Sequence, residues 1–158
     1  MLSAITIHCR LPLCNRKYLL PELRICCTIL EKISAECGDS AYVATEDNGE
    51  MIGFFCYSVN VENNVGFLKF VIVDAKKHGA GYGQKMLKLA LCYAFEITGA
   101  ETVQLNVFAE NEIAIRCYEK AGFAKQSMEE NAFVYKKERW GRCRMGTFRE
   151  RNPENKGG

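Results

Sequence analysis

The sequence holds only two histidines, His8 and His78, and none of its nine cysteines stands in a Cys-x-x-Cys pair. A structural zinc site needs closely spaced thiolate or imidazole ligands, so no metal site is expected. The cysteines (Cys9, Cys14, Cys26, Cys27, Cys37, Cys56, Cys92, Cys117 and Cys143) are odd in number. Residues 1–14 lack the basic head, apolar run and cleavage site of a secretory leader. Together these predict a reducing, cytoplasmic setting without a disulfide framework. Cys92 and Cys117 fall among apolar residues at helical spacing, where a thiol is expected to serve as a small hydrophobe. No window approaches the ~18 apolar residues that a spanning helix requires, so no membrane segment is expected. An excess of one charge is also missing. A formal net charge of +2 argues neither for nor against nucleic acid, and no nucleic-acid partner is assigned. The balance is uneven only in residues 131–158, where eight Lys/Arg face three acids. Such a run is either a solvated strand face and tail or an attraction for an anionic ligand.

What is present fits one globular domain over residues 1–150 with a frayed tail at 151–158, for 158 residues can bury a sizeable core. Residues 4–9 alternate as a first strand, and residues 15–37 carry apolar side chains at helical spacing. Strands at 41–45 and 51–60 flank Asn48-Gly49, a short-range hairpin signal. After a turn at 62–64, residues 65–74 form an apolar strand interrupted by Lys69. A helix then runs to Gly99 with Met86, Leu87, Ala90, Leu91, Ala94 and Phe95 as its apolar stripe. A strand at 102–108 is followed by a helix with Asn111 as N-cap, a stripe of Ala114, Cys117, Tyr118 and Ala121, and Gly122 as its end. Residues 123–149 read as two strands around a polar turn. The order β-α-β-β-β-α-β-α-β-β is that of a mixed α/β domain.

The chemistry concentrates where the strand ending in Val71-Ile72-Val73-Asp74 meets His78-Gly79-Ala80-Gly81-Tyr82-Gly83 at a helix start. A dinucleotide fingerprint fails there, because Gln84 occupies the place of its third glycine. A P-loop fails as well, since Gly83 is followed by Gln84, Lys85 and Met86 with no Lys-Ser/Thr pair. Two readings stay open: a tight glycine turn, or a cradle in which backbone amides of residues 79–84 hold a pyrophosphate at a helix N-terminus.

Joined to Asn111, Ala114, Tyr118-Glu119 and Gly122-Phe123, this turn resembles the GCN5-related N-acetyltransferase (GNAT) superfamily. The family pattern is a strand ending in an aliphatic pair, then Arg/Gln-x-x-Gly-x-Gly/Ala, then Asn, Ala and Tyr-Glu-x-x-Gly-Phe. The resemblance is good over roughly residues 41–125 and covers the flanks in element order alone. It implies the GNAT acyl-CoA N-acyltransferase fold: a central mixed, mostly antiparallel sheet with splayed strands, flanked by helices. It implies an enzyme moving acetyl from acetyl-CoA, its co-substrate, to a primary amine of a small molecule or a protein. Carried over by position, Val71, Ile72 and Val73 would meet the pantetheine arm through backbone groups. His78, Gly79, Ala80, Gly81, Tyr82, Gly83 and Gln84 would hold the pyrophosphate. Asn111 would contact the cofactor, be a simple N-cap, or do both. Tyr118 would protonate the leaving thiolate, unless it is a packed helical tyrosine.

The chain departs from the pattern in two ways. Where relatives carry a glutamate base on one of two strands, this chain has Asn106 and Phe67, leaving Glu62 and Glu110 as substitutes or water as the proton route. His78 replaces Arg/Gln, and a largely neutral imidazole predicts weaker or more pH-sensitive cofactor binding. The acceptor would be chosen by residues 10–40, the turn near 60–65 and the last hairpin, where Tyr18, Glu62, Tyr135, Glu138 and Trp140 are candidates. The resemblance leaves a homodimer open. The alternative to an enzyme is a non-catalytic acyl-CoA-binding sensor or partner-binding module.

Overall fold

The structure is a computed structural model that describes residues 5–9, 40–46, 48, 50–77 and 79–150. The helix expected over 15–37, the candidate His78 and the tail expected at 151–158 lie outside the described residues. The described chain divides into two compact units. The first takes the described residues up to Ser58 together with Phe67–Ala90, and the second takes Val59–Gly66 and the described residues from Leu91 on.

The first unit is built on β1 (Ile5–Cys9), β2 (Ser40–Glu46), and most of β3 (Met51–Asn60) and β4 (Val65–Val73), in that spatial order. β1 and β2 are antiparallel, with Ile5 opposite Glu46. β2 and β3 are antiparallel, with Tyr42 opposite Phe55, and the register slips between Ala44 and Thr45. The hairpin expected at Asn48 is present: Glu46 N–H donates to the Glu50 carbonyl at 2.8 Å, and the Asn48 side chain accepts from Glu50 N–H at 2.9 Å. β3 is buried on both faces over Ile52, Phe54, Phe55, Cys56 and Tyr57, which explains its unbroken apolar run. Phe54 and Cys56 lie with Ala41 and Val43 on one face, while Phe55 stacks on Tyr42 at 5.3 Å on the other. β4 approaches β3 closely at Gly53, where a Cβ would fall 2.2 Å from the Ile72 carbonyl oxygen.

A 3-10 turn (Ala75–Lys77) follows β4, and then helix α1 (Tyr82–Cys92) begins. Met86, Leu87, Ala90 and Leu91 are buried as the helical stripe predicted. The helix does not run regularly to Gly99. It widens into a π-turn over Tyr93–Ile97, in which Thr98 N–H reaches back to the Tyr93 carbonyl at 3.1 Å. Gly99, expected just past the helix, has φ 73°. Cys92 is exposed and not part of the stripe, because it follows Leu91 onto the outer side of the helix.

The second unit contains β5 (Thr102–Phe108), helix α2 (Glu112–Lys120), β6 (Ala124–Tyr135) and β7 (Glu138–Phe148). β7 lies between the other two strands and is antiparallel to both, with Phe148 opposite Thr102 and Gly146 opposite Ala124. Val103, Leu105, Ile115, Phe123, Cys143 and Met145 form its buried interior. The described elements are thus the mixed α/β set that the sequence predicts. No helix among the described residues is long and apolar enough to cross a membrane.

The tight approach at Gly53 yields a stability test. The obstruction is a backbone atom, so Gly53→Ala must shift β4 against β3. A loss of about 1–3 kcal/mol is expected, read as a lowered denaturation midpoint with an unchanged slope.

Candidate functional site

In the first unit the site begins where β4 stops being regular. Phe70 adopts φ 50°, a left-handed conformation that costs a bulky residue of order 1–3 kcal/mol and clusters at functional positions. Beyond it the exposure of the strand changes. Gly66 and Leu68 are buried, whereas Phe70 and Ile72 are about half exposed, at 48% and 46%. Val71 and Val73 are partly buried. Ile72, in the segment expected to meet an acyl-pantetheine arm, and Phe70 just before that segment are therefore left partly uncovered.

Asp74 ends the strand. Its N–H still pairs with the Ile52 carbonyl at 2.7 Å, its carbonyl accepts from Lys77 N–H at 2.9 Å, and its side chain caps Lys76 N–H at 2.9 Å. The chain then reaches the exposed residues Gly79, Ala80 and Gly81. Gly79 and Gly81 have φ of 82° and 79°, a region that an L side chain enters at a cost. Among the described residues, nothing lies within 4 Å of where their Cβ atoms would be. The first bond of α1 is Lys85 N–H to the Gly81 carbonyl, at 3.1 Å. The amides of Tyr82 and Gly83 consequently have no helical carbonyl a turn earlier, the arrangement in which a helix start favours an anion. No acidic residue occupies that first turn.

A charged cluster that the sequence analysis missed flanks this turn. Lys77 Nζ contacts Glu46 Oε1 at 2.9 Å and Glu50 Oε2 at 3.0 Å. Glu46 also accepts a hydrogen bond from the Tyr82 hydroxyl, and the Lys77 and Lys85 ammoniums lie 5.2 and 5.4 Å from the Tyr82 ring centre. The Tyr82 hydrogen bond, then Lys77, holds the Glu46 carboxyl below its ordinary value. Its two carboxylate partners, Glu46 first, push the Lys77 ammonium up, and the bond to Glu46 raises the Tyr82 phenol. Spacing could not reveal contacts between residues 31 apart.

In the second unit Asn111 is the N-cap of α2, its side-chain oxygen accepting from Ala114 N–H at 3.1 Å. The capping role is therefore present. Tyr118 sits in the last turn of α2. Phe123 N–H donates to the Tyr118 carbonyl at 3.0 Å, Gly122 N–H to the Glu119 carbonyl at 3.0 Å, and Gly122 has φ 101°. This is a Schellman stop, completed by the Tyr118 and Phe123 rings meeting edge-on at 5.9 Å. Ile115, which the predicted stripe omitted, is the buried residue of the helix, while Tyr118 is half-buried. Desolvation first, then the neighbouring Cys117, pushes the Tyr118 phenol up to about 12, so it keeps its proton at neutral pH.

Of the two candidate bases, only Glu110 has a side-chain hydrogen bond among the described residues. The Glu110 carboxylate accepts from Gly141 N–H at 2.8 Å, and Glu62 lies exposed in the turn after β3. The Asn106 side chain accepts from Arg144 Nε at 3.5 Å. Phe67 lies under the Lys69 ammonium, 5.8 Å from its ring centre. No group of three or more His, Cys, Asp or Glu able to hold a metal occurs among the described residues.

Residues 14–123 match the model of the Acetyltransferase (GNAT) family. The chain belongs to this family. Among GNAT relatives it is 31% identical over 85 residues to a mycothiol acetyltransferase of Streptomyces avermitilis, covering 54% of this chain and 27% of that protein. It is 31% identical over 81 residues to a spermine/spermidine N(1)-acetyltransferase of Bacillus subtilis, covering 48% of this chain and 53% of that one. The chain thus spans from about a quarter to about half the length of these curated relatives. Its fold is that of a Vibrio cholerae spermidine N-acetyltransferase solved with CoA and spermine. The TM-score is 0.73 at 17% identity, over 91% of this chain and 95% of that one.

The lowered carboxyl of Glu46 gives a pH test. A group whose folded pKa lies below its unfolded value adds stability above the unfolded value and loses it as pH falls through the folded one. The thermal midpoint should therefore fall as pH drops from about 6 towards 3, and Glu46→Gln should flatten that fall. Scanning calorimetry across this range measures both curves.

Proposed function

We propose that this chain transfers an acetyl group from acetyl-CoA to the primary amine of a small molecule. The observation that carries the reading is the glycine turn, left-handed at Gly79 and Gly81, which delivers a strand end to a helix start without acidic residues in a chain of this family. The relatives' polyamine and mycothiol names support a small acceptor. The family match takes in parts of both units, which supports reading residues 1–150 as one catalytic domain.

In this reading the amides of residues 79–84 bind the pyrophosphate, and the backbone of Val71, Ile72 and Val73 aligns the pantetheine arm. His78 stands in the place of the usual Arg/Gln, and Asn111 combines helix capping with a cofactor contact. The acceptor nitrogen attacks the thioester carbonyl, forming the C–N bond and then breaking the C–S bond. The sulfur leaves with the proton of Tyr118, the nitrogen loses its own proton to water, and the phenol is reloaded from solvent. A phenol raised to about 12 is always loaded at neutral pH and yields its proton only to the charge developing on sulfur. Since Asn106 and Phe67 occupy the places of the glutamates, water carries the first proton away.

A CoA-release assay over a panel of amines, run beside a thermal shift with acetyl-CoA, tests the activity. Turnover is expected, whereas binding without turnover would identify an acyl-CoA-binding module instead. Tyr118→Phe keeps the ring against Phe123 and should leave the melting point and the acetyl-CoA KM close to the original. It should lower kcat by about 10²-fold or more. Steady-state kinetics on the variant would reject the acid role if kcat were unchanged.

A further inference from the structure

Gly79, Ala80 and Gly81 are the described residues of the glycine turn. Ala80 and both glycines are exposed, and among the described residues no atom lies near the Cβ positions of Gly79 or Gly81. The residues on either side of it, by contrast, are tied to a single carboxylate. Lys77, just before the turn, contacts Glu46 at 2.9 Å, and Tyr82, just after it, hydrogen-bonds the same side chain. Glu46 ends β2 and is held in the hairpin by its own N–H bond to Glu50. Its side chain is only 13% exposed and that of Lys77 18%, unlike the solvated pairs of the surface such as Arg116–Glu112, at 71% and 77%. An isolated surface pair contributes little, whereas this one joins three side chains across a chain reversal.

We infer that Glu46, Lys77 and Tyr82 are positioning residues for the cofactor, a clasp that fixes the two ends of the glycine turn so that its amides stand ready for the pyrophosphate. This inference rests on the acetyl-CoA reading and adds two statements to it. Lys77 does not serve as a phosphate cation, because two carboxylates already balance its charge. Tyr82 serves the site through its backbone, its hydroxyl being committed to Glu46. Preorganised amides bind an anion without the cost of ordering a mobile loop, so releasing the clasp should weaken the part of the ligand that the turn holds and no other.

Tyr82→Phe removes a single oxygen and Glu46→Ala removes the hub, while Glu50→Ala removes only the exposed outer partner of Lys77. Each full-length variant is titrated by NMR with CoA and with pantetheine, which lacks the pyrophosphate. Hydrogen exchange is followed at residues 79–85. Tyr82→Phe and Glu46→Ala are expected to weaken CoA about tenfold, leave pantetheine unchanged and speed exchange in the turn, with Glu50→Ala close to the original. Equal weakening of both ligands would overturn the inference as a general loss of structure. Unchanged CoA affinity would overturn it as well. If the original chain bound no CoA, the acetyl-CoA reading itself would fail, and faster exchange in the variants would leave only a structural clasp.

Discussion

Between Val73 and Tyr82 the chain must turn from a strand end into a helix start whose first amides have no carbonyl partner within the helix. Left-handed torsions at Gly79 and Gly81 make that possible. Everything around the reversal serves to fix its ends. Asp74 stays bonded to β3 through its N–H and caps the next turn with its side chain. Gly53 lets β4 lie close enough to β3 for that bond to form. Past the reversal, Met86, Leu87 and Ala90 bury the stripe that commits α1 to its place in the first unit. If the turn holds the pyrophosphate as proposed, it does so less with charged side chains than with a backbone held where the anion will be.

The second family signature has a conformational explanation as well as a chemical one. In Tyr118-Glu119-x-x-Gly122-Phe123 the glycine takes the left-handed position, the amides of Gly122 and Phe123 satisfy the last carbonyls of α2, and the two aromatic rings close the motif. The same six residues that stop the helix hold the phenol half-buried, where desolvation raises its pKa still further above neutral pH. A packed tyrosine can therefore also be the acid proposed above, since a phenol is protonated at neutral pH with or without the shift.

Much of this was legible in the sequence because it is local. The Asn48 hairpin, the stripe of α1, the Asn111 cap and the glycine stop at Gly122 all follow from residues within a few positions of one another. The failures were of two kinds. The π-turn after Cys92 inserts one extra residue into a helical period, which a stripe of apolar residues does not reveal. The positive φ at Phe70 and the Glu46–Lys77–Tyr82 cluster depend on strand pairing, which brings the β2–β3 hairpin to the glycine turn. The departures at Asn106 and Phe67 were readable as residue identities, but their partners, Arg144 and Lys69, became known only from the fold.

Glycine answers two different demands within this one site. At Gly53 the difficulty is space, since a methyl group would strike a carbonyl oxygen of the neighbouring strand. At Gly79 and Gly81 there is ample room, and the difficulty is handedness alone. A D-alanine introduced by chemical synthesis would sit at either turn position without strain, because its chirality prefers the torsions found there. Mirror-image substitution therefore separates the two demands: the turn asks for a residue that can bend the other way, and the strand asks for one with no side chain at all.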